Sequence, residues 1–114
     1  MGFEVQFSAD AENDFGLIFD FLVESYLAFG ENVETAIEHA TIRIEQIRQD
    51  AESIGRVPFR GTLHDEISPG LRHVTKNRAI IWFDILPDTD LVRILAIFFG
   101  GQDHQRKMLV RLLS

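Results

Sequence analysis

The side chains that could do chemistry here are arginines and histidines, because the 114 residues include no cysteine. Arg72, Arg78 and Arg93 fall on or beside three successive β-rich stretches. Antiparallel pairing can bring such cations within reach of one anion, either a phosphate or an acidic group on a partner. For Arg72 the ordinary alternative is a rim salt bridge with Asp84 or Glu66. The four histidines, His39, His64, His73 and His104, show neither the three- or four-residue helical spacing nor the two-residue strand spacing of a metal site, so no metal is expected. His73 follows Arg72 directly, and strand alternation sends the two to opposite faces, where they cannot form one acid-base pair. His104, beside Asp103, is a candidate base, although an exposed histidine at a helix start is ordinarily inert. Gly100-Gly101 lacks the residues that complete a phosphate loop or a dinucleotide fingerprint, so it reads as a strand stop and no cofactor is expected. The serines sit in cap, helix and turn contexts without a Gly-x-Ser-x-Gly elbow.

The elements that must position these groups follow from periodicity. Phe3-Glu4-Val5-Gln6-Phe7 alternates as a half-buried strand, and Ser8 then caps a helix whose first turns carry Asp10, Glu12 and Asp14, where the dipole favours acids. Phe15, Ile18, Phe19, Leu22, Val23 and Tyr26 give that helix one apolar face up to Gly30. Val33, Ile37, Ala40, Ile44, Ile47, Ala51 and Ile54 form a narrow seam along a second helix closed by Gly55. The short connection between the two predicts an antiparallel helical hairpin. Residues 55–70, punctuated by glycine and proline, read as a loop or partly extended arm carrying Arg56, Arg60 and His64. Three strands follow as a meander: Leu71 to Val74, a turn over Thr75 to Arg78, Ala79 to Leu86, a turn over Pro87 to Asp90, and an apolar, central strand from Leu91 to Phe99. A short terminal helix ends the chain. The expectation is one α+β domain over residues 1–114, of order β-α-α-β-β-β-α. The hairpin covers one face of a mainly antiparallel sheet and leaves the other more exposed.

Charge divides the chain. Residues 1–54 hold two basic residues against twelve acids, a balance of −10, whereas residues 55–114 hold nine against six, a balance of +3. The net charge of −7 disfavours direct DNA binding by the chain alone. No apolar run is long enough to span a membrane and the N-terminus lacks a basic leader, so the expected address is the cytoplasm. Ten phenylalanines exceed what a two-layer core needs. Phe98 and Phe99 send one ring to each side of their strand, and some of these rings are candidates to line a groove for a partner.

Arg60-Gly61, the Ser68-Pro69-Gly70-Leu71-Arg72 turn into a strand, the next strand Arg78-Ala79-Ile80-Ile81-Trp82-Phe83, and Val92 to Gly100 followed by Asp103 resemble the ParE and RelE superfamily of bacterial toxins. Phe7 to Asp14 resembles the strand-to-helix step of ParE-type members. The resemblance implies the toxin of a type II toxin–antitoxin, or plasmid-stabilisation, system. ParE-like members inhibit DNA gyrase by protein contact and are neutralised by a ParD-like antitoxin, in assemblies that can reach a heterotetramer. RelE-like members are ribosome-dependent mRNA endonucleases with clustered Arg and Lys and a His or Tyr near the end of the last strand.

Arg72 matches the strand arginine that such nucleases use on phosphate, with His104 the only base available to that reading. The rest departs from the pattern: Phe98-Phe99 stands where the His or Tyr is found, and Gly101-Gln102 where an Arg commonly follows the glycine. The expectation is therefore a ParE-like inhibitor rather than an enzyme, with Arg60, Arg72, Arg78, Arg93, Phe98 and Phe99 as partner-binding candidates. The alternatives are the endonuclease, or a diverged non-toxic binding module of the same fold.

Overall fold

The computed structural model describes residues 2–100 and 103–113. The element order is β1 (Glu4–Phe7), α1 (Ala9–Ala28), α2 (Val33–Glu52), a 3-10 turn (Ser53–Arg56), β2 (Thr62–Leu63), β3 (Arg72–Lys76), β4 (Ala79–Leu86), β5 (Leu91–Phe99) and α3 (His104–Leu112). The five strands lie in the order β1-β5-β4-β3-β2. Only β1 runs parallel to its neighbour; the other pairings are antiparallel. This is the α+β arrangement expected, with one addition. The arm at 55–70 contributes β2 as a two-residue edge strand, because Thr62 and Leu63 pair with His73 and Arg72.

Local chemistry accounts for the element boundaries. The Ser8 hydroxyl accepts from the Ala11 N–H at 3.0 Å and donates to the Leu95 carbonyl at 3.2 Å, so one residue caps α1 and fastens it to β5. Asn32 caps α2 by accepting from the Thr35 N–H at 2.8 Å. Glu12, early in α1, meets Arg48, late in α2, at 2.9 Å, as an antiparallel hairpin requires. The β3–β4 turn is tighter than expected: Thr75 and Lys76 remain in the strand, and Asn77 and Arg78, at φ 52° and 70°, make the whole turn. Two successive positive φ values give a turn whose twist matches the strands. Gly55 does not itself close α2 as expected, since the helix ends at Glu52 and passes into the 3-10 turn. Its lack of a side chain serves packing: a Cβ there would collide with the Phe3 carbonyl, and the Phe3 N–H donates to the Gly55 carbonyl at 2.7 Å.

Two apolar clusters lie on the two faces of the sheet. The larger joins Phe15, Ile18 and Leu22 of α1 and Ala40, Ile47 and Ala51 of α2 to Ile81, Phe83, Val92, Ile94 and Ile97. The seam of α2 is buried only in its later turns, as Val33 and Ile37 stand exposed. The smaller cluster, Leu71, Ile80, Trp82, Ala96 and Met108, lies on the opposite face. That face is less open than expected, because α3 and the segment from His64 to Leu71 close over Trp82, which is fully buried. The two faces meet at a bulge, where Trp82 pairs with Ala96 but Phe83 pairs with Ile94, leaving Leu95 as the extra residue. No described helix is long and apolar enough to cross a membrane. Gly101 and Gln102, which carry the expected strand stop and the missing arginine position, lie outside the described residues.

Asp14 has a different role from the dipole partner its position suggests. It is 3% exposed, accepts from the Ile97 N–H at 2.8 Å, and grips Arg111 of α3 through two bonds of 2.8 and 3.0 Å. Removing the carboxylate leaves a strand N–H and a half-buried guanidinium without their partner, which costs about 3 kcal/mol. Asp14→Ala should therefore lower stability by about that amount in urea unfolding, with Asp14→Asn less damaging. A loss under about 1 kcal/mol would show that α3 is held by other contacts.

Candidate functional site

The sheet face away from the hairpin gathers three histidines that are far apart in the sequence. The two-residue turn at Asn77-Arg78 sets His73 of β3 opposite Trp82 of β4. His64 enters from the segment after β2, where its N–H donates to the Leu71 carbonyl at 2.7 Å and its carbonyl accepts from Ile67 and Ser68. His104 opens α3. The His64 and His73 rings stack with centroids 4.8 Å apart, and both lie within 5 Å of the Trp82 ring. His104 stands edge-on to His73 at 4.7 Å.

Hydrogen bonds order this cluster. The Glu66 carboxylate lies 3.3 Å from His64 Nδ1, and His64 Nε2 lies 2.7 Å from His73 Nδ1. A carboxylate only accepts, so His64 carries its proton on Nδ1. Its Nε2 then accepts from His73 Nδ1–H, which leaves His73 Nε2 unprotonated when the imidazoles are neutral. Burial, followed by the proximity of His104 and His64, pushes His73 down to about 4. Burial and then His64 lower His104 as well. The cluster thus holds a proton acceptor at one end and a route for the proton toward Glu66 at the other. Trp82 Nε1 and His104 Nδ1 are buried without a hydrogen-bond partner among the described residues. No group of three His, Cys, Asp or Glu among the described residues is arranged to hold a metal ion.

The arginines do not converge there. Arg93 lies against Asp84 through bonds of 2.9 and 2.6 Å, so its charge is matched. Arg72 pairs in register with Phe83, a residue of the hairpin-side core, and its guanidinium reaches the Arg60 carbonyl at 3.4 Å and the Phe59 ring at 5.7 Å. It takes neither Asp84 nor Glu66 as a partner, and it stands on the opposite face from Arg93. Arg78 lies in the β3–β4 turn, 5.8 Å from the Phe99 ring. The single anion site expected from Arg72, Arg78 and Arg93 is therefore not formed. Phe98 and Phe99 do divide between the two faces, Phe98 with the Trp82 cluster and Phe99 with the hairpin core. His104 is half-buried rather than exposed.

A second feature lies on the hairpin side. Leu17 and Phe21, one turn apart on α1, and Phe29 at its C-cap are 60%, 55% and 87% exposed. They form an apolar stripe that does not face the core. Beyond Ile94 strand β5 outruns β1, and there Leu17 and Phe21 join Ile97, Phe98, Phe99 and Lys107 around a groove of about 290 Å³.

Neither the histidine cluster nor the role of Asp14 was read from the sequence. A turn confined to Asn77-Arg78 would have set His73 across from Trp82, and that was the available signal for the cluster. No spacing rule links His64 or His104 to that pair.

No protein-family pattern matches this sequence, and no curated protein matches it. Solved structures do. A chain of the chromosomal ParDE toxin–antitoxin system from P. aeruginosa superposes with a TM-score of 0.65 at 19% identity, covering 87% of this chain and 97% of that one. A chain of the RelBE2 toxin–antitoxin complex from Mycobacterium tuberculosis gives 0.62 at 14% identity, covering 89% and 95%. The chain has the ParE/RelE toxin fold.

His73 ties the cluster to pH. Its value in the fold lies below the ordinary 6.5, so below pH 6.5 the unfolded chain takes up a proton that the folded chain refuses. This contribution to stability is complete above pH 6.5 and declines as pH falls toward 4. Thermal unfolding should therefore show wild-type losing stability across that window more steeply than His73→Gln, and equal slopes would mean that the imidazole is not held neutral.

Proposed function

We propose that this chain is the toxin of a type II toxin–antitoxin pair, acting in the cytoplasm on DNA gyrase by protein contact and neutralised by a ParD-like antitoxin. The observation that carries this reading is the set of Leu17, Phe21 and Phe29, laid outward beside the part of β5 that runs past the end of β1. Such a surface suits an amphipathic partner segment, which buries its apolar side chains in the groove. The fold shared with a ParDE chain over 97% of that chain's length supports the same reading. On this reading the protein serves plasmid stabilisation, binds no DNA by itself, and forms an assembly with its antitoxin that extends to a heterotetramer.

The histidine cluster favours a second reading, a ribosome-dependent mRNA endonuclease. His73 Nε2 would take the proton of a 2′-hydroxyl, and His104 would stand beside it. Transition-state stabilisation at a phosphate also needs fixed positive charge. Arg93 is matched by Asp84 and Arg72 lies across the sheet, so this reading ranks second.

Pulse-labelling of DNA and protein synthesis within minutes of inducing the chain alone separates the two. An early fall in DNA synthesis is expected. An early fall in protein synthesis, abolished by His73→Ala, would establish the endonuclease instead. Continued growth with both syntheses intact would mark a diverged, non-toxic binding module.

A further inference from the structure

Two arginines beside the Phe99 ring, on the hairpin side, have no acidic partner among the described residues. Arg43 of α2 and Arg78 of the β3–β4 turn place their guanidinium carbons 5.5 and 5.8 Å from the centre of the Phe99 ring. Among the described residues neither forms an ion pair with a carboxylate. Arg43 donates from one terminal nitrogen to the Asn77 carbonyl at 2.6 Å, while its Nε is buried with nothing to receive its proton among the described residues. Arg78 is held at φ 70°, and its carbonyl is fixed by the Gly100 N–H at 3.0 Å. A bulky residue kept in the left-handed region is a local cost that the surrounding structure imposes. Both cations open onto a cavity of about 490 Å³ whose other walls include Phe21, Tyr26, Phe29 and Phe99.

We infer that this cavity is a carboxylate-reading pocket for a partner segment, a conclusion that rests on the protein-contact reading above and specifies the partner's chemistry. Phe21 and Phe99 line both this cavity and the groove at the β5 edge, so the two form one track. From Leu17 the track follows α1 to its C-cap at Phe29, twelve residue steps and about 18 Å at the helical rise of roughly 1.5 Å per residue. A helix of about three turns matches that length, with apolar side chains against Phe21 and Phe99. An Asp or Glu just past its apolar stripe would seat between Arg43 and Arg78, and a guanidinium fork suits a carboxylate. The surrounding charge selects a single acid rather than a nucleic-acid backbone: residues 1–54, which build the hairpin, carry a balance of −10 and repel a polyanion. The sequence pointed to Arg78 as an anchor for acidic side chains, but in the company of Arg72 and Arg93. Its actual companion comes from the otherwise acidic second helix.

The test uses the full chain and three synthetic helical peptides that share one apolar stripe and end in Glu, Gln or Lys, read by fluorescence polarisation. The Glu peptide should bind about tenfold more tightly than the Gln peptide, the factor expected of a charge-assisted hydrogen bond, and the Lys peptide weakest. The preference should disappear in Arg43→Gln combined with Arg78→Asn. Asn accepts the positive φ, so the turn is kept, and an unchanged thermal midpoint confirms the fold. Equal binding of the Glu and Gln peptides, a preference that survives in the double variant, or binding of none of the three would overturn the pocket. Growth arrest on induction is scored separately in the same strains. Arrest without a Glu preference removes the pocket and leaves the toxin reading standing, whereas absence of arrest removes the toxin reading itself.

Discussion

The fold turns on one buried carboxylate. Strand β5 continues past the end of β1, and beyond Ile94 its N–H groups on that side face a helix instead of a strand. Asp14 satisfies the Ile97 N–H, but a lone anion at that depth would be too costly to keep. Arg111 neutralises it from α3, and its guanidinium also rests 5.2 Å from the Phe98 ring. One side chain thereby joins the first helix, the central strand and the last helix. Once α3 is held, Met108 seals Trp82 and His104 is delivered to the histidine cluster. The groove on the hairpin side is the other product of the same mismatch in strand length.

Elements governed by periodicity were legible in the sequence: the amphipathic helices, their Ser8 cap, the meander and the apolar central strand. Features governed by chain reversal were not. Asp14 sits three residues beyond the usual capping positions on a helix full of acids, and only the return of α3 nearly a hundred residues later distinguishes it from Asp10 or Glu12. His64, His73 and His104 obey no common spacing because a turn, a strand and a helix start supply them separately. Gly55 looked like a helix stop, since a close approach between backbones leaves the same glycine signature. Arg72 and Arg93 were placed on their correct strands and Arg78 proved to be a turn residue, but a parity error of one residue is enough to change a side chain's face, and the two-residue turn settled which face Arg72 takes.

The two faces differ in physical character. On one, imidazoles, an indole and a thioether are packed under a helix, and burial keeps His73 and His104 neutral. On the other, large apolar rings and unmatched guanidinium groups remain at the surface. Desolvation holds the imidazoles of the first face neutral, whereas the second still has apolar area to bury and is suited to association. The acidic helices surrounding the second surface would slow encounter with polyanions while leaving apolar docking intact.

The parallel seam between β1 and β5 has a consequence for how the chain comes to exist. Glu4 pairs with Leu91, and Ser8 reaches the Leu95 carbonyl at a sequence separation of 87, so the earliest of these five strands to be synthesised is among the last to find its neighbour. Closing so long a loop is entropically costly and slow compared with forming the helical hairpin or the meander. During synthesis on the ribosome the hairpin can form early, yet the Ile97 contact of Asp14, the edge of β5 and the floor of the groove arise only when the final quarter of the chain emerges. Any surface that depends on β5 is thus absent from the nascent protein and comes into being in a single late step.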